Sequence, residues 1–161
     1  MNRNKEKGKA FERYIANDLS DIFNLSFTRT PNSGAYVGGK NKHRMNTLSN
    51  SQILLTEGDI IVPDELYNLK IECKSYKALP FHQLFTQCKQ IDEWIEQAYS
   101  EAKVWFLIFK ISRAGSYVCF DSQYYPNFEC HGNILHYGKY IVASYDEFFT
   151  QNKDVLLEIC K

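Results

Sequence analysis

Gly58-Asp59-Ile60-Ile61-Val62-Pro63, followed shortly by Leu69-Lys70-Ile71-Glu72-Cys73-Lys74-Ser75, is the most regular stretch of the chain. Asp59 to Val62 reads as a strand stopped by Pro63, with Asp64-Glu65 as the turn after it. Leu69 to Ser75 reads as the next strand of a hairpin. Side chains two apart on a strand share a face, so Glu72 and Lys74 emerge together while Cys73 points into the opposite layer. A hairpin register can set Asp59 opposite Glu72. Ile60, Val62, Ile71 and Cys73 suggest that the other face of both strands is buried.

Working outward, the segment from about Lys5 to Phe23 has the period of an amphipathic helix, with Phe11, Ile15, Leu19 and Ile22 on one face and Glu12 beside it. Leu25 to Thr30 alternates as a short strand does, and Pro31-Asn32-Ser33-Gly34 stops it. Residues 34–57 contain Gly38-Gly39, a cluster of Asn and Ser between Asn46 and Ser51, and several basic residues. They predict a long, mobile basic loop, a feature that is uncommon in compact domains and often functional there. Phe81 to about Ser100 is predicted helical, with Phe85, Cys88, Ile91, Ile95 and Ala98 on one stripe. Val104 to Ile111 is nearly all apolar, as expected of a strand buried on both faces. Tyr117–Phe120 and Tyr140–Ser144 are further strand candidates, and Asp146 to Lys153 a short helix. The order predicts an α/β fold in which a central mixed sheet is flanked by helices. No repeat or linker divides the chain. A single unit over 1–161 is expected, with a core at about 5–111 and an extension at 112–161.

The 161 residues suit one ordinary core, and with 44% apolar and 24% charged residues a folded globular chain is expected rather than a disordered one. No apolar run is long enough to cross a bilayer and the N-terminus has no apolar signal core, so an intracellular protein without membrane contact is expected. Five cysteines, an odd number without a C-x-x-C pair, argue for reduced and mostly buried thiols. Cys119, Cys130, His131 and His136 match no standard zinc spacing. The net charge of zero conceals an asymmetry: residues 1–44 carry nine Lys or Arg against four acids. A basic N-terminal part is compatible with phosphate binding, although such runs are usually solvated faces.

Asp59, Glu72 and Lys74 are the residues with chemistry to offer. Two converging carboxylates repel each other unless a cation lies between them, and hard oxygen donors suit Mg²⁺. Lys74 beside such a site could orient or deprotonate a water, or stabilise charge developing on a phosphate. These are the parts needed for phosphodiester hydrolysis. The blander alternative is a surface salt bridge on an exposed strand.

Asp59-Ile-Ile-Val62 and Ile71-Glu-Cys-Lys-Ser75 together resemble the PD-(D/E)XK nuclease signature. Lys7-Gly-Lys-Ala-Phe-Glu12-Arg13 and Thr28-Arg29-Thr-Pro-Asn-Ser33-Gly34 resemble the archaeal and viral Holliday-junction resolvase branch of that superfamily, in order from about Lys7 to Ile111. The resemblance implies a restriction-endonuclease-like core and a DNA endonuclease needing Mg²⁺, with Mn²⁺ able to substitute. It implies that Asp59 and Glu72 bind the metal with the backbone carbonyl of Cys73, that Lys74 is the catalytic lysine, and that Glu12 completes the centre through water. Arg29 and Ser33 would contact phosphates flanking the cut, and Lys40, Lys42 and Arg44 would add DNA contacts. A homodimer making paired nicks in a four-way junction is the implied assembly. A restriction-like, nicking or repair nuclease on ordinary duplex, and a catalytically silent DNA-binding module, are the alternatives. The sequence departs from the branch in three places. Gly58 stands where the family name has proline, the stretch from Ser33 to Asp59 is long, and the tail after Ile111 has no counterpart. The tail's Tyr117, Tyr124, Tyr125, Phe128, Tyr137 and Tyr140 suit core or dimer packing better than base stacking.

Overall fold

The computed structural model describes residues 3–31 and 58–161. The loop expected at 34–57, together with Ser33, Lys40, Lys42 and Arg44, lies outside the described residues. The elements in chain order are α1 (Arg3–Phe23), β1 (Thr28–Arg29), β2 (Ile60–Ile61), β3 (Leu69–Tyr76), α2 (Lys89–Ala98), β4 (Val104–Ile111), β5 (Gly115–Asp121), β6 (Leu135–Tyr137), β7 (Tyr140–Ser144), α3 (Phe148–Gln151) and α4 (Lys153–Ile159). The fold is α/β, as the order of patterns predicted.

The main sheet has five strands in the order β3-β4-β5-β7-β6. β3 runs parallel to β4, with Glu72 opposite Leu107, and the remaining pairs are antiparallel. A parallel pair needs a crossover, and α2 supplies it. β4 is buried at Val104–Phe109, which explains why its sequence is apolar without alternation. Its Val104, Phe106 and Ile108 face one layer with Leu69, Ile71 and Cys73, against Phe11, Ile15 and Leu19 of α1. Trp105, Leu107, Phe109 and Ile111 face the other, against Cys88, Ile91, Trp94, Ile95 and Ala98.

The tail after Ile111 builds three of the five strands and much of the core. Phe106 meets Phe120, Phe128, Phe148 and Phe149 with ring centroids 5.4–5.9 Å apart. Tyr137 of β6 reaches the start of α2, where its hydroxyl accepts the Cys88 N–H at 2.8 Å and donates to Asp92 at 2.7 Å. It thereby serves a helix terminus whose own cap residue offers no side-chain bond. Tyr145 donates to Asp18 of α1 at 2.6 Å. Four of the five cysteines are buried and all are free thiols; burial pushes the Cys160 thiol up to about 12.

Several boundaries differ from the sequence reading, each for a local reason. The strand expected from Leu25 is regular only at Thr28–Arg29. Asn24 takes φ 54°, the left-handed conformation that ends many helices, and the Ser20 hydroxyl accepts the Phe27 N–H at 3.0 Å. That backbone group is therefore spent on turning the chain. β2 ladders with β1 rather than β3, pairing Thr28 with Ile61 and Arg29 with Ile60. The helix expected over 81–100 is a 3₁₀ segment at Phe81–Phe85 and then α2, and Phe85 is 75% exposed instead of joining the stripe. The short β6 carried too little alternation to be predicted. The terminal helix extends past Lys153 as a second one, α4.

Candidate active site

Gly58 starts the construction. It has φ 79°, and a Cβ there would lie 2.5 Å from the Ile71 carbonyl oxygen. Proline, locked near −65°, cannot take that conformation. The close approach lets the next residue, Asp59, donate its N–H to the Ile71 carbonyl at 2.9 Å. The Asp59 carboxylate accepts the Cys73 N–H at 2.9 Å, and the Asp59 carbonyl accepts the Thr30 N–H at 2.9 Å. Asp59, only 7% exposed, is thus gripped through N–H, carbonyl and side chain. It sits between residues 71 and 73, where the hairpin register had it facing Glu72.

The β3 backbone explains the placement. Asn68 and Tyr76 offer their carbonyls toward β4 and the chain following it, so even-numbered residues bond on that side. Odd-numbered residues turn N–H and C=O to the opposite edge, and the Cys73 carbonyl shares that edge with the Cys73 N–H bound by Asp59. The even side chains Lys70, Glu72 and Lys74 emerge on the α2 side of the sheet.

Lys74 Nζ donates to Glu72 Oε1 at 2.6 Å and to Gln97 Oε1 of α2 at 2.6 Å. Glu72 and Lys74 keep 12% and 17% of their side-chain surface exposed, so this is a sheltered pair rather than a solvated one. Burial raises the Glu72 carboxyl, and the Asp59 carboxylate raises it further; together they outweigh Lys74, which acts downward. An ordinary exposed ion pair would lower a carboxyl, so the upward shift marks burial first and the neighbouring Asp59 charge second. Burial alone would lower the Lys74 ammonium, yet Glu72 and then Asp59 carry it above its usual value. Lys74 is accordingly held as a cation, a donor rather than a base.

Burial pushes the Cys73 thiol well up, with Asp59, Glu72 and Glu12 adding to the effect in that order. The charges of all three acids therefore reach one residue of β3. Glu12 arrives from α1, and Arg29 Nε donates to its Oε2 at 2.6 Å. That pair is 19% and 12% exposed at its side chains. The structure thus brings Glu12, Arg29, Asp59, Glu72 and Lys74 to the outer edge of β3.

The donor chemistry suits a hard cation. Two carboxylates with an unrelieved like-charge interaction, beside a backbone carbonyl, match the oxygen ligands of Mg²⁺, which keeps several waters of its own. Among the described residues no three His, Cys, Asp or Glu side chains gather as a metal cluster, which excludes the zinc arrangement of Cys119, Cys130, His131 and His136 there. A site of two carboxylates and a carbonyl is not of that type.

Three further residues carried no signal in the sequence. Gln97 reaches Lys74 from α2. Lys70 donates to the carbonyls of Gln97 at 2.9 Å and Tyr99 at 3.1 Å. Thr30, 3% exposed next to Asp59, has a buried hydroxyl without a hydrogen-bond partner among the described residues. Only the spatial proximity of α2 and β3 reveals the first two.

The sequence profile of a family described as "Phage putative PDDEXK endonuclease" matches residues 3–158. The chain belongs to this phage PD-(D/E)XK endonuclease family. No curated protein and no solved structure matches it. Membership makes the protein a nuclease with DNA as its substrate, and the mixed sheet with flanking helices is consistent with a restriction-endonuclease-like core. The match includes the tail after Ile111, which the resemblance noted from sequence left without a counterpart. Among the described residues, no helix is long and apolar enough to cross a membrane.

Proposed function

We propose that this PD-(D/E)XK nuclease is a Mg²⁺-dependent endodeoxyribonuclease that nicks branched DNA in pairs, as a homodimer. The observation that carries the hydrolytic part is the Asp59–Glu72–Lys74 arrangement: a carboxyl raised by burial and a second acid, beside a lysine kept cationic. Asp59, Glu72 and the Cys73 carbonyl would hold the ion, with Mn²⁺ as a substitute and Glu12 joining through water. A cation held by these residues would supply Lewis acidity at the scissile phosphate and would lower the pKa of the attacking water.

The protein's own groups do the remaining work. Asp59 is fixed to β3 by the Cys73 N–H, so its position costs no reorganisation when substrate arrives. Lys74 offers an N–H and a positive charge to a phosphoryl oxygen, where charge grows during attack. Arg29, paired with Glu12, carries the guanidinium suited to a neighbouring phosphate. Ser33, on the resemblance, and Lys40, Lys42 and Arg44, on their charge, are proposed as further phosphate-binding residues. The preference for branched DNA rests on the resemblance of the α1 and β1 motifs to junction resolvases. Two centres held by a twofold axis meet the geometric need of two symmetric cuts. Membership of a phage family supports a virus-encoded enzyme acting inside the host cell.

Cleavage of labelled four-way junction, flap, linear duplex and single strand in Mg²⁺ tests the proposal. Paired symmetric nicks in the junction, well ahead of the duplex, are expected, with a dimer in sedimentation. Equal cutting of duplex by a monomer would replace this reading with a restriction-like or nicking enzyme. Binding without cleavage in either Mg²⁺ or Mn²⁺ would make the protein a silent DNA-binding module.

A further inference from the structure

The lysine of the site is held from two sides, and only one of them belongs to the D…E-x-K pattern. Glu72 Oε1 takes one N–H of Lys74, and Gln97 Oε1 takes another at the same 2.6 Å. An ammonium has three donors. With two engaged by acceptors on β3 and α2, the direction of the third is set, and it is the one left to offer to a phosphoryl oxygen. We infer that Gln97 is a positioning residue for cleavage, aiming the Lys74 ammonium from the last turn of α2. This rests on Lys74 being the catalytic lysine of the function proposed above.

The surroundings of Gln97 hold its backbone in place. Its backbone carbonyl accepts Lys70 Nζ at 2.9 Å, and the same nitrogen donates to the Tyr99 carbonyl at 3.1 Å. Carbonyls of a last helical turn lack partners within the helix, and a lysine is a favourable cap for them. Lys70 and Lys74 leave the same face of β3 four residues apart, so both tie one strand to one turn of α2. The buried stripe of Ile91, Trp94, Ile95 and Ala98 fixes the helix beneath them. A neutral amide suits the task, because it accepts a hydrogen bond without adding a third charge to the excess already shared by Asp59 and Glu72.

Gln97 is exposed, so Gln97→Met removes the acceptor while leaving the core intact. Single-turnover cleavage is compared for the unaltered chain, Gln97→Met, Lys74→Met, the double variant, and Asp59→Asn as a control. Loss of a hydrogen bond to a charged group predicts a fall in kcat of about ten-fold to a hundred-fold for Gln97→Met. KM for DNA should stay within about two-fold, since phosphate contacts elsewhere supply most of the affinity. In the Lys74→Met background the same substitution should have no further effect. Unchanged kcat, a loss confined to KM, or an equal additional loss without Lys74 would each overturn the inference. Independently of activity, nitrogen-15 spectra at low temperature should show slowly exchanging Lys74 ammonium protons that Gln97→Met removes. Persistence of that signal would also overturn it. If the unaltered chain does not cut, or Asp59→Asn still cuts, the proposed function fails and the inference with it. If those controls behave and Gln97→Met cuts normally, the inference alone fails.

Discussion

The Asp59 carboxylate accepts the backbone N–H of Cys73 at 2.9 Å, joining the start of one strand to the open edge of another. Asparagine keeps the shape and an acceptor oxygen but removes the charge that pushes Glu72 upward. Asp59→Asn should lower cleavage by at least about a hundred-fold, the upper end of what losing even an outer-sphere partner costs a metal site. In chelator the variant should unfold at a higher temperature than the unaltered chain, because two acids no longer compete there. Added Mg²⁺ should raise the Tm of the unaltered chain alone. A lower Tm for the variant in chelator would show that the repulsion is not a burden.

Gly58 admits no side chain. Alanine would have to take φ 79° and place its Cβ 2.5 Å from the Ile71 oxygen. Gly58→Ala should cost about 1–3 kcal/mol from backbone strain alone, measured by denaturant unfolding. Activity should fall with it, since the Asp59 N–H to Ile71 bond follows directly. Wild-type stability and activity would show that the backbone relaxes freely at this point.

Glu12 and Arg29 form a sheltered pair, so removing one leaves the other charge poorly compensated. Arg29→Met and Glu12→Gln should each destabilise the fold, and the double variant should lose less than the sum. A coupling energy of about 1–3 kcal/mol from the thermodynamic cycle is expected. Additive effects would mean that the pair is solvated despite its short distance.

Tyr145 gives a pH signature. Burial, and next its hydrogen bond to Asp18, push its hydroxyl far above the ordinary value. A folded value above the unfolded one of about 10 means that the contribution is complete below that pH and lost as pH rises beyond it. Tyr145→Phe should cost about 1–2 kcal/mol at pH 7. The gap between variant and unaltered chain should narrow above pH ~10, and a gap constant with pH would refute the assignment.

The helix α1, the strand β4 and the pair Glu72–Lys74 could be read from sequence because each depends on a repeat of two or 3.6 residues over several positions. β1 and β2 could not be bounded, since two residues hold no period and their ends depend on Ser20 and Gly58. Phe85 fits the helical stripe in sequence, but the helix begins only after Cys88, where Tyr137 from a distant strand meets it. Gln97 was invisible for the same reason: an exposed glutamine in a helix has no pattern, and its meaning comes from β3 lying opposite. The tail's aromatics were rightly weighed toward packing, although nothing in their spacing indicated that Phe128 and Phe148 would meet Phe106 on one face of the sheet.

The strand that carries Glu72 and Lys74 is anchored by a residue remote in sequence: Asn68, just before β3, donates its N–H to the Cys160 carbonyl at 3.0 Å. A ribosome completes residues 59–74 long before it reaches Cys160. The growing chain therefore carries Glu12, Asp59, Glu72 and Lys74 while β3 still lacks this anchor and most of its sheet. A growing nuclease chain would therefore stay inert at this site until Cys160 and the strands before it had folded against β3.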